Sequence, residues 1–485
     1  MAVRLTNPLR LLGLNRNNRR TLDTRVRRIL GFSLEDGSPV FEPDNTSSAL
    51  IYAAAGGGKT TCVAVPEILS MLADIDRSIV VNDVKSGEIA AQLAKLCLSY
   101  GRKVAVLNDG GVLGEEFAPY CISLNPLSNL IAAYQAKSSS LMLEIENVSH
   151  IFINEPKDDP KNTFWRQVPR EFLELAILIL ISRFPNLATP GGVAAFLSDP
   201  QMWMSAVATE VEEGAPLTRP RAMQIKELHD NDPEHYSQHY LAALSALRIF
   251  APGGPLQDAG AHAEITHEQL LKENYIVFLV QNQRNAARLG TYYGLHFNAF
   301  TSAQMAGGCG RTDLVFDEAA NTPARDMIEK VTIQRAFGLR TLFIAQSRSD
   351  MQRQNGDKLI ATLEDNVRVV QWLKFANVEE AERVSRAMGE RETLSSSLNY
   401  NSGHPEFSGG LSTGRERIFT AEELMRLPPN CQVIYVSGVG FIVCEKASQQ
   451  HLAPYCHEIA PNPLEGGVLT PDPRVRIAAP PRRRT

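Results

Sequence analysis

Residues 47–61 read Ser47-Ser48-Ala49-Leu50-Ile51-Tyr52-Ala53-Ala54-Ala55-Gly56-Gly57-Gly58-Lys59-Thr60-Thr61, and the fold turns on this stretch. The apolar run Leu50 to Tyr52 has the composition of a short strand, and it stops at consecutive glycines. Glycine has no Cβ, so the backbone there turns tightly and brings bare N–H groups against an anion. Lys59 and Thr60 follow at once. This is the order a phosphate-binding loop needs: amides to cradle phosphate, an ammonium to reach the terminal phosphates and a hydroxyl to hold Mg²⁺. Gly56, Gly57, Gly58, Lys59, Thr60 and Thr61 are therefore the candidate nucleotide-binding residues, with a helix expected to start there. Ala53 occupies the first glycine position of G-x-x-x-x-G-K-[ST], and a glycine-rich turn before a helix is often only a turn. The loop needs a partner motif.

Leu314-Val315-Phe316-Asp317-Glu318 supplies one. A β-forming run ending in two acids puts both carboxylates at the mouth of a strand, where Asp317 can hold the Mg²⁺ shell and Glu318 can polarise a water for attack on a γ-phosphate. An acidic pair at a strand end also serves as a cap for the next helix. Further on, Thr341 to Ala345 reads as a strand ending in Gln346, an amide placed to sense the γ-phosphate or its water, or simply to hydrogen-bond a loop. Arg335 and Arg340 flank Gly338, and either could be a surface charge.

The 485 residues carry a formal charge of −5. Residues 1–30 hold eight arginines against Asp23, a net +7, and 466–485 hold five against Asp472, a net +4, which leaves −16 for residues 31–465. An acidic body excludes a general basic surface, so any nucleic acid must meet a confined one, such as a channel or the termini. The 7 cysteines form no CxxC pair and no disulfide framework, which fits a reducing cytoplasm. Leu175 to Ile181, the longest apolar run, is far short of the roughly 20 residues a membrane span requires. Arg19-Arg20 has no apolar segment behind it, so export is not expected. The histidines show no ligand spacing, and Mg²⁺ is the one metal expected. Trp165, Trp203 and Trp372 read as core residues.

Between Phe32 and Phe41 the turn Asp36-Gly37 predicts a hairpin. Helical and strand patterns then alternate: Thr61 to Leu72, Arg77 to Asp83, Ile89 to Tyr100 and Lys103 to Leu107. This β-α-β-α-β order implies a parallel sheet covered on both faces, with ligands beyond the carboxyl ends of its strands. From about Asn125 helical patterns dominate to about 255, and strands return at Tyr275–Val280, 314–316, 341–345, 367–372 and 433–436. The expected division is a basic N-terminal arm (1–30), a nucleotide-binding domain in two parts (31–127 and 256–465), an inserted all-α domain (128–255) and a disordered Pro/Arg-rich tail (466–485). The Ser/Asn/Gly-rich residues 392–416 read as a mobile loop.

These motifs together resemble the coupling ATPases of type IV secretion and conjugation, the TraG/TraD type. The resemblance rests on Gly56 to Thr60, Pro66-Glu67-Ile68-Leu69, Val80 to Glu88, Asn125-Pro126-Leu127, Phe316-Asp317-Glu318-Ala319-Ala320-Asn321, Phe337-Gly338-Leu339-Arg340, Ala345-Gln346-Ser347 and Leu427-Pro428-Pro429-Asn430, in that order over about residues 30–450. It implies an α/β, RecA-like P-loop domain with an inserted all-α domain. It further implies a ring of six that uses ATP to deliver single-stranded DNA with its attached relaxase to a secretion channel. Lys59 and Thr60 would bind phosphate and Mg²⁺, Asp317 the metal shell, Glu318 the attacking water and Gln346 the γ-phosphate. Arg335 matches the family's arginine finger and would act on a neighbouring subunit.

The sequence departs from that pattern in three places. Ala53 replaces the first loop glycine. Val84 stands for the usual proline and Ser86 intrudes before Gly87, which leaves Lys85 and Glu88 without an assigned role. Most members begin with membrane-spanning helices and none is legible here, so the basic arm is expected to dock on anionic lipid or a membrane partner, or the motor is a soluble variant. Two other readings stay open: a ring pump for double-stranded DNA, and a receptor for protein effectors.

Overall fold

The structure, a computed structural model, describes residues 26–154, 163–320, 325–399, 408–464, 466 and 468–482. Its strands are β1 (Ile29–Ser33), β2 (Pro39–Phe41), β3 (Ala49–Ala53), β4 (Arg77–Asp83), β5 (Val104–Leu107), β6 (Ile276–Val280), β7 (Arg311–Phe316), β8 (Leu339–Ala345), β9 (Val369–Lys374), β10 (Glu390–Asn399), β11 (Ser408–Arg417), β12 (Cys431–Val436), β13 (Gly440–Lys446), β14 (Leu452–Ala453) and β15 (Val475–Arg476). Eleven of them form one sheet in the order β2-β1-β13-β12-β9-β3-β8-β7-β4-β6-β5.

From β9 to β5 every pairing is parallel. The expected parallel sheet is therefore present, and the expected hairpin is β1–β2; it joins an antiparallel extension through β12 and β13 that the strand and helix alternation did not reveal. β3 is buried throughout, and alternate residues serve opposite faces: Leu50 and Tyr52 join one apolar core, Ala49, Ile51 and Ala53 the other. Each large apolar side chain so buried contributes about 1.5–3 kcal/mol. The two covered faces hold the sheet, and its strand ends are left for polar residues.

Helix α1 (Val65–Met71) follows the phosphate loop, and α2 (Glu88–Ser99) follows β4. Among the described residues, helices then follow one another as α3 (Ser128–Gln135), α4 (Leu141–Phe152), α5 (Thr163–Arg183), α6 (Pro190–Ser198), α7 (Pro200–Glu213), α8 (Arg219–Asn231) and α9 (Pro233–Ala246). Pro190, Pro200 and Pro233 are the first residues of their helices, where the missing N–H costs nothing. Thr189, Asp199 and Asp232 cap the same three helices with side-chain hydrogen bonds to first-turn amides. The apolar run of α5 is a buried helix, and among the described residues no helix is long and apolar enough to cross a membrane. Two more helices, α10 (His267–Lys272) and α11 (Ala286–Met305), flank β6.

Several expectations are corrected. Arg28, counted with the basic arm, is buried and pairs with Glu42 at 2.7 Å, so the ordered body begins before residue 31. Residues 1–25 lie outside the described residues. Within the stretch read as a loop at 392–416, the described residues 392–399 and 408–416 lie in the antiparallel pair β10–β11, in register from Glu390↔Arg417 to Asn399↔Ser408, and 400–407 lie outside the described residues. Glu390, Arg391 and Glu392 stand opposite Arg417, Glu416 and Arg415, three opposite-sign pairs that fix the register at its base. Nor is the tail disordered over 468–482: β15 pairs with β14, Ile477 is buried, and Arg474 both pairs with Glu445 at 2.9 Å and lies 4.0 Å over the Phe32 ring. Trp203 and Trp372 are core residues, whereas Trp165 is 45% exposed.

Candidate active site

The phosphate loop leaves the carboxyl end of β3. Gly56 and Gly58 have φ of +69° and +92°, a region L-residues rarely adopt. A Cβ on Gly57 would meet the Ala54 carbonyl at 2.8 Å, so all three loop positions require glycine. Ala53 is the buried last residue of β3, outside the tight turn, which explains why alanine serves where the motif has glycine. After the loop, Thr60–Ala64 makes one wide helical turn before α1 begins, and its leading amides have no partner earlier in the helix. A helix N-terminus of this kind attracts anions.

Around the loop stand the ends of β4, β7 and β8. The Lys59 ammonium contacts the Glu318 carboxylate across 259 positions of sequence. Gln346 Nε2 lies 3.4 Å from the other Glu318 oxygen. Glu318 has φ +52°, a strained conformation for a glutamate of the kind kept at working sites. Its neighbour Asp317 is buried, and burial together with the Glu318 charge pushes its carboxyl up to about 6 against the pull of Lys59 and Lys85. Asn82 holds the Asp317 carbonyl at 2.9 Å and so ties β4 to the acidic pair.

The structure also assigns places to residues that sequence reasoning left out. Lys85 donates to the Thr60 hydroxyl at 3.0 Å, and that hydroxyl donates to Glu88 at 3.4 Å. Burial would lower the Lys85 ammonium, but the carboxylates of Asp317, Glu88 and Glu318 outweigh it and hold the group above its ordinary value. The Ser86 insertion is absorbed because Ser86 and Gly87 both take positive φ, 54° and 77°. Asp83 accepts the amides of Ile89 and Ala90 at 2.9 and 2.8 Å and so caps α2. Burial raises its carboxyl to about 7, those amides pull it down, and the Asp317 and Glu88 charges raise it further. Part of the signal was present in the polar residues that end β4; that β4 lies beside β7 is decided by the sheet.

Arg335 is not brought to this site. It lies exposed in the 3-10 turn Arg335–Phe337, at the amino end of β8, whereas the loop and the acids stand at the carboxyl ends. Seven strand residues span roughly 20 Å at about 3.3 Å each. Arg340 is no surface charge: it is buried and contacts Glu42, Glu67 and Asp313. Asn321, the last residue of the acidic motif, lies outside the described residues.

Among the described residues no group of three or more His, Cys, Asp or Glu is set to hold a metal. The Thr60 hydroxyl and the Asp317 carboxylate are hard oxygen donors. Together with phosphate oxygens they suit Mg²⁺, which takes few protein ligands.

A parallel sheet with a phosphate loop after one strand, an acidic pair two strands away and a polar amide on the strand between defines an α/β P-loop fold. The chain belongs to the type IV secretory system conjugative DNA transfer family, whose model matches residues 14–460. Among solved structures it resembles the unbound conjugative coupling protein TrwBdeltaN70 at 15% identity, with a TM-score of 0.62 over 87% of this chain and 90% of that one. It also resembles TrwB in complex with ADP and Mg²⁺ at 14% identity, with a TM-score of 0.60 over 86% and 89%. VirB4 of Thermoanaerobacter pseudethanolicus matches at 15% identity, with a TM-score of 0.51 over 88% and 97%. No curated protein sequence matches.

Proposed function

We propose that this chain is an ATPase that recruits single-stranded DNA with its relaxase and pumps it into a type IV secretion channel, working as a ring of six. The observation that carries the reading is the meeting of Lys59 with Glu318, beside Asp317, at one end of the sheet. Membership in a family described by conjugative DNA transfer supports DNA as the cargo. The nucleotide-binding domain would comprise 31–127 and 256–465, with 128–255 as the inserted helical domain. A cytoplasmic ring would meet the inner membrane, or a partner in it, through the basic arm.

In the proposed reaction Gly56 to Thr61 cradle the phosphates of ATP, and Lys59 exchanges Glu318 for the terminal phosphate. Glu318 is then free to accept a proton from the attacking water, which Gln346 helps to orient. Thr60 and Asp317 would hold Mg²⁺, which neutralises phosphate charge when bound. Lys85 and Glu88 hold the Thr60 hydroxyl in place.

Lys59→Ala is expected to lower ATP hydrolysis by about 10²–10³-fold, the usual loss when one charge-stabilising group is removed, without unfolding the chain. Turnover at the wild-type rate in that variant would refute the site. The cargo is tested by ATPase rate against protein concentration with single-stranded DNA, duplex DNA or neither. Stimulation by single strands is expected. Stimulation by duplex alone would favour a double-stranded DNA pump, and indifference to both would favour a receptor for protein effectors.

A further inference from the structure

Lys446 ends β13 in the antiparallel extension. Because β13 runs antiparallel to β12, and β12 to β9, Lys446 lies at the same end of the sheet as the phosphate loop. Its ammonium donates to the Gly57 carbonyl at 3.1 Å and to the Pro429 carbonyl at 2.6 Å. It is buried, and burial, with the charge of the neighbouring Lys374, holds it below its ordinary value. Among the described residues no carboxylate pairs with it. A buried ammonium held by two carbonyls keeps its charge available to an anion nearby.

The hydrogen bond to Gly57 has a directional consequence. In a trans peptide the C=O of Gly57 and the N–H of Gly58 point opposite ways. A carbonyl held toward β13 therefore turns the Gly58 amide away from it. Among the described residues that amide makes no backbone hydrogen bond, whereas Gly57 donates to the Ala54 carbonyl at 2.9 Å. A second, weaker brace comes from Lys374, whose ammonium stands 3.5 Å from the Ala55 carbonyl. With φ of +92° at Gly58, nothing in the loop's own side chains fixes this peptide.

We propose that Lys446 is a positioning residue of the phosphate loop: it clamps the Gly57 carbonyl so that the Gly58 amide faces the nucleotide phosphates, and its charge adds to their attraction. The proposal rests on the reading that the loop binds nucleotide. It also gives Leu427-Pro428-Pro429-Asn430 a task, since this stretch supplies the second carbonyl and fixes the lysine's aim.

The test is equilibrium binding of ATP and steady-state hydrolysis by the full chain, Lys446→Met and Lys446→Gln, with melting of the nucleotide-free protein as the control for folding. ATP should bind Lys446→Met about tenfold more weakly, a loss of about 1.4 kcal/mol. Lys446→Gln, which keeps an N–H but no charge, should fall between. KM should rise with kcat nearly unchanged, because the cradle is used equally in the ground and transition states, whereas a merely structural loss would lower kcat through the active fraction. Affinity of the folded Lys446→Met within twofold of wild type overturns the proposal, and so does a fall in kcat at constant KM in either variant. Failure of the wild type itself to bind ATP would instead sink the nucleotide reading.

Discussion

Arg335→Ala is expected to keep ATP binding and to lose about 10³–10⁵-fold in hydrolysis, the range over which an arginine finger acts. Arg335 is exposed at the amino end of β8, a strand's length from the Glu318 of its own chain, so the guanidinium cannot reach that chain's γ-phosphate. Ile333 and Phe337 on either side are 47% and 40% exposed, an apolar margin suited to a second copy. Mixing Arg335→Ala with Glu318→Gln subunits should restore part of the activity, because one kind of interface then joins an intact Glu318 to an intact Arg335. ATPase rate against mixing ratio measures this. A flat response, with both variants shown to assemble, would exclude action across the interface.

Arg340→Met should lower the free energy of unfolding of the sheet by about 3–5 kcal/mol, the cost of stripping one partner from a buried ion cluster. Arg340 contacts Glu42, Glu67 and Asp313, Arg28 adds Glu42 at 2.7 Å and Glu67 at 3.6 Å, and Arg77 contacts Asp313. The six side chains are all but excluded from solvent. Their charges balance, three against three, so removing one guanidinium leaves a buried carboxylate without compensation. Burial by itself would push the Glu67 carboxyl up, but Arg340 and Arg28 overcome it and hold the group below the ordinary glutamate value. A depressed folded pKa contributes stability that is present above the unfolded value and lost as pH falls through the folded one. The deficit of Arg340→Met should therefore be largest near neutrality and shrink in acid. Urea unfolding at several pH values checks both points, and a deficit under about 1 kcal/mol at neutral pH would contradict the account.

The two ends of the sheet thus carry different chemistry. The amino ends hold a closed, charge-balanced cluster that fixes β1, α1, β7 and β8 together. The carboxyl ends gather Lys59, Lys85, Asp83, Glu88, Asp317 and Glu318, and two of these carboxyls, Asp83 and Asp317, are raised by burial to about 7 and 6. Glu88 also accepts from Asn462 at 2.6 Å, so the segment leading into the tail reaches the same cluster.

The linear chain determined whatever is encoded locally. Three glycines before Lys59-Thr60 encode a tight turn leading into a helix, apolar runs ending in acids or amides become strands with polar mouths, and the helical block shows its own periodicity. The tertiary structure alone decided which distant residues meet. Lys446 reaches Gly57, Arg28 reaches Glu42 and Glu67, and Lys85 and Glu88 close on Thr60, because sheet order brings their strands and turns together and no local pattern records that order. The β10–β11 pair escaped for a related reason: its alternating Glu and Arg acquire meaning only when the second strand supplies the opposite charges. The β1–β2 hairpin was legible from Asp36-Gly37, but its place on the antiparallel edge, like the packed tail, exists through partners that a reading confined to neighbouring residues could not contain.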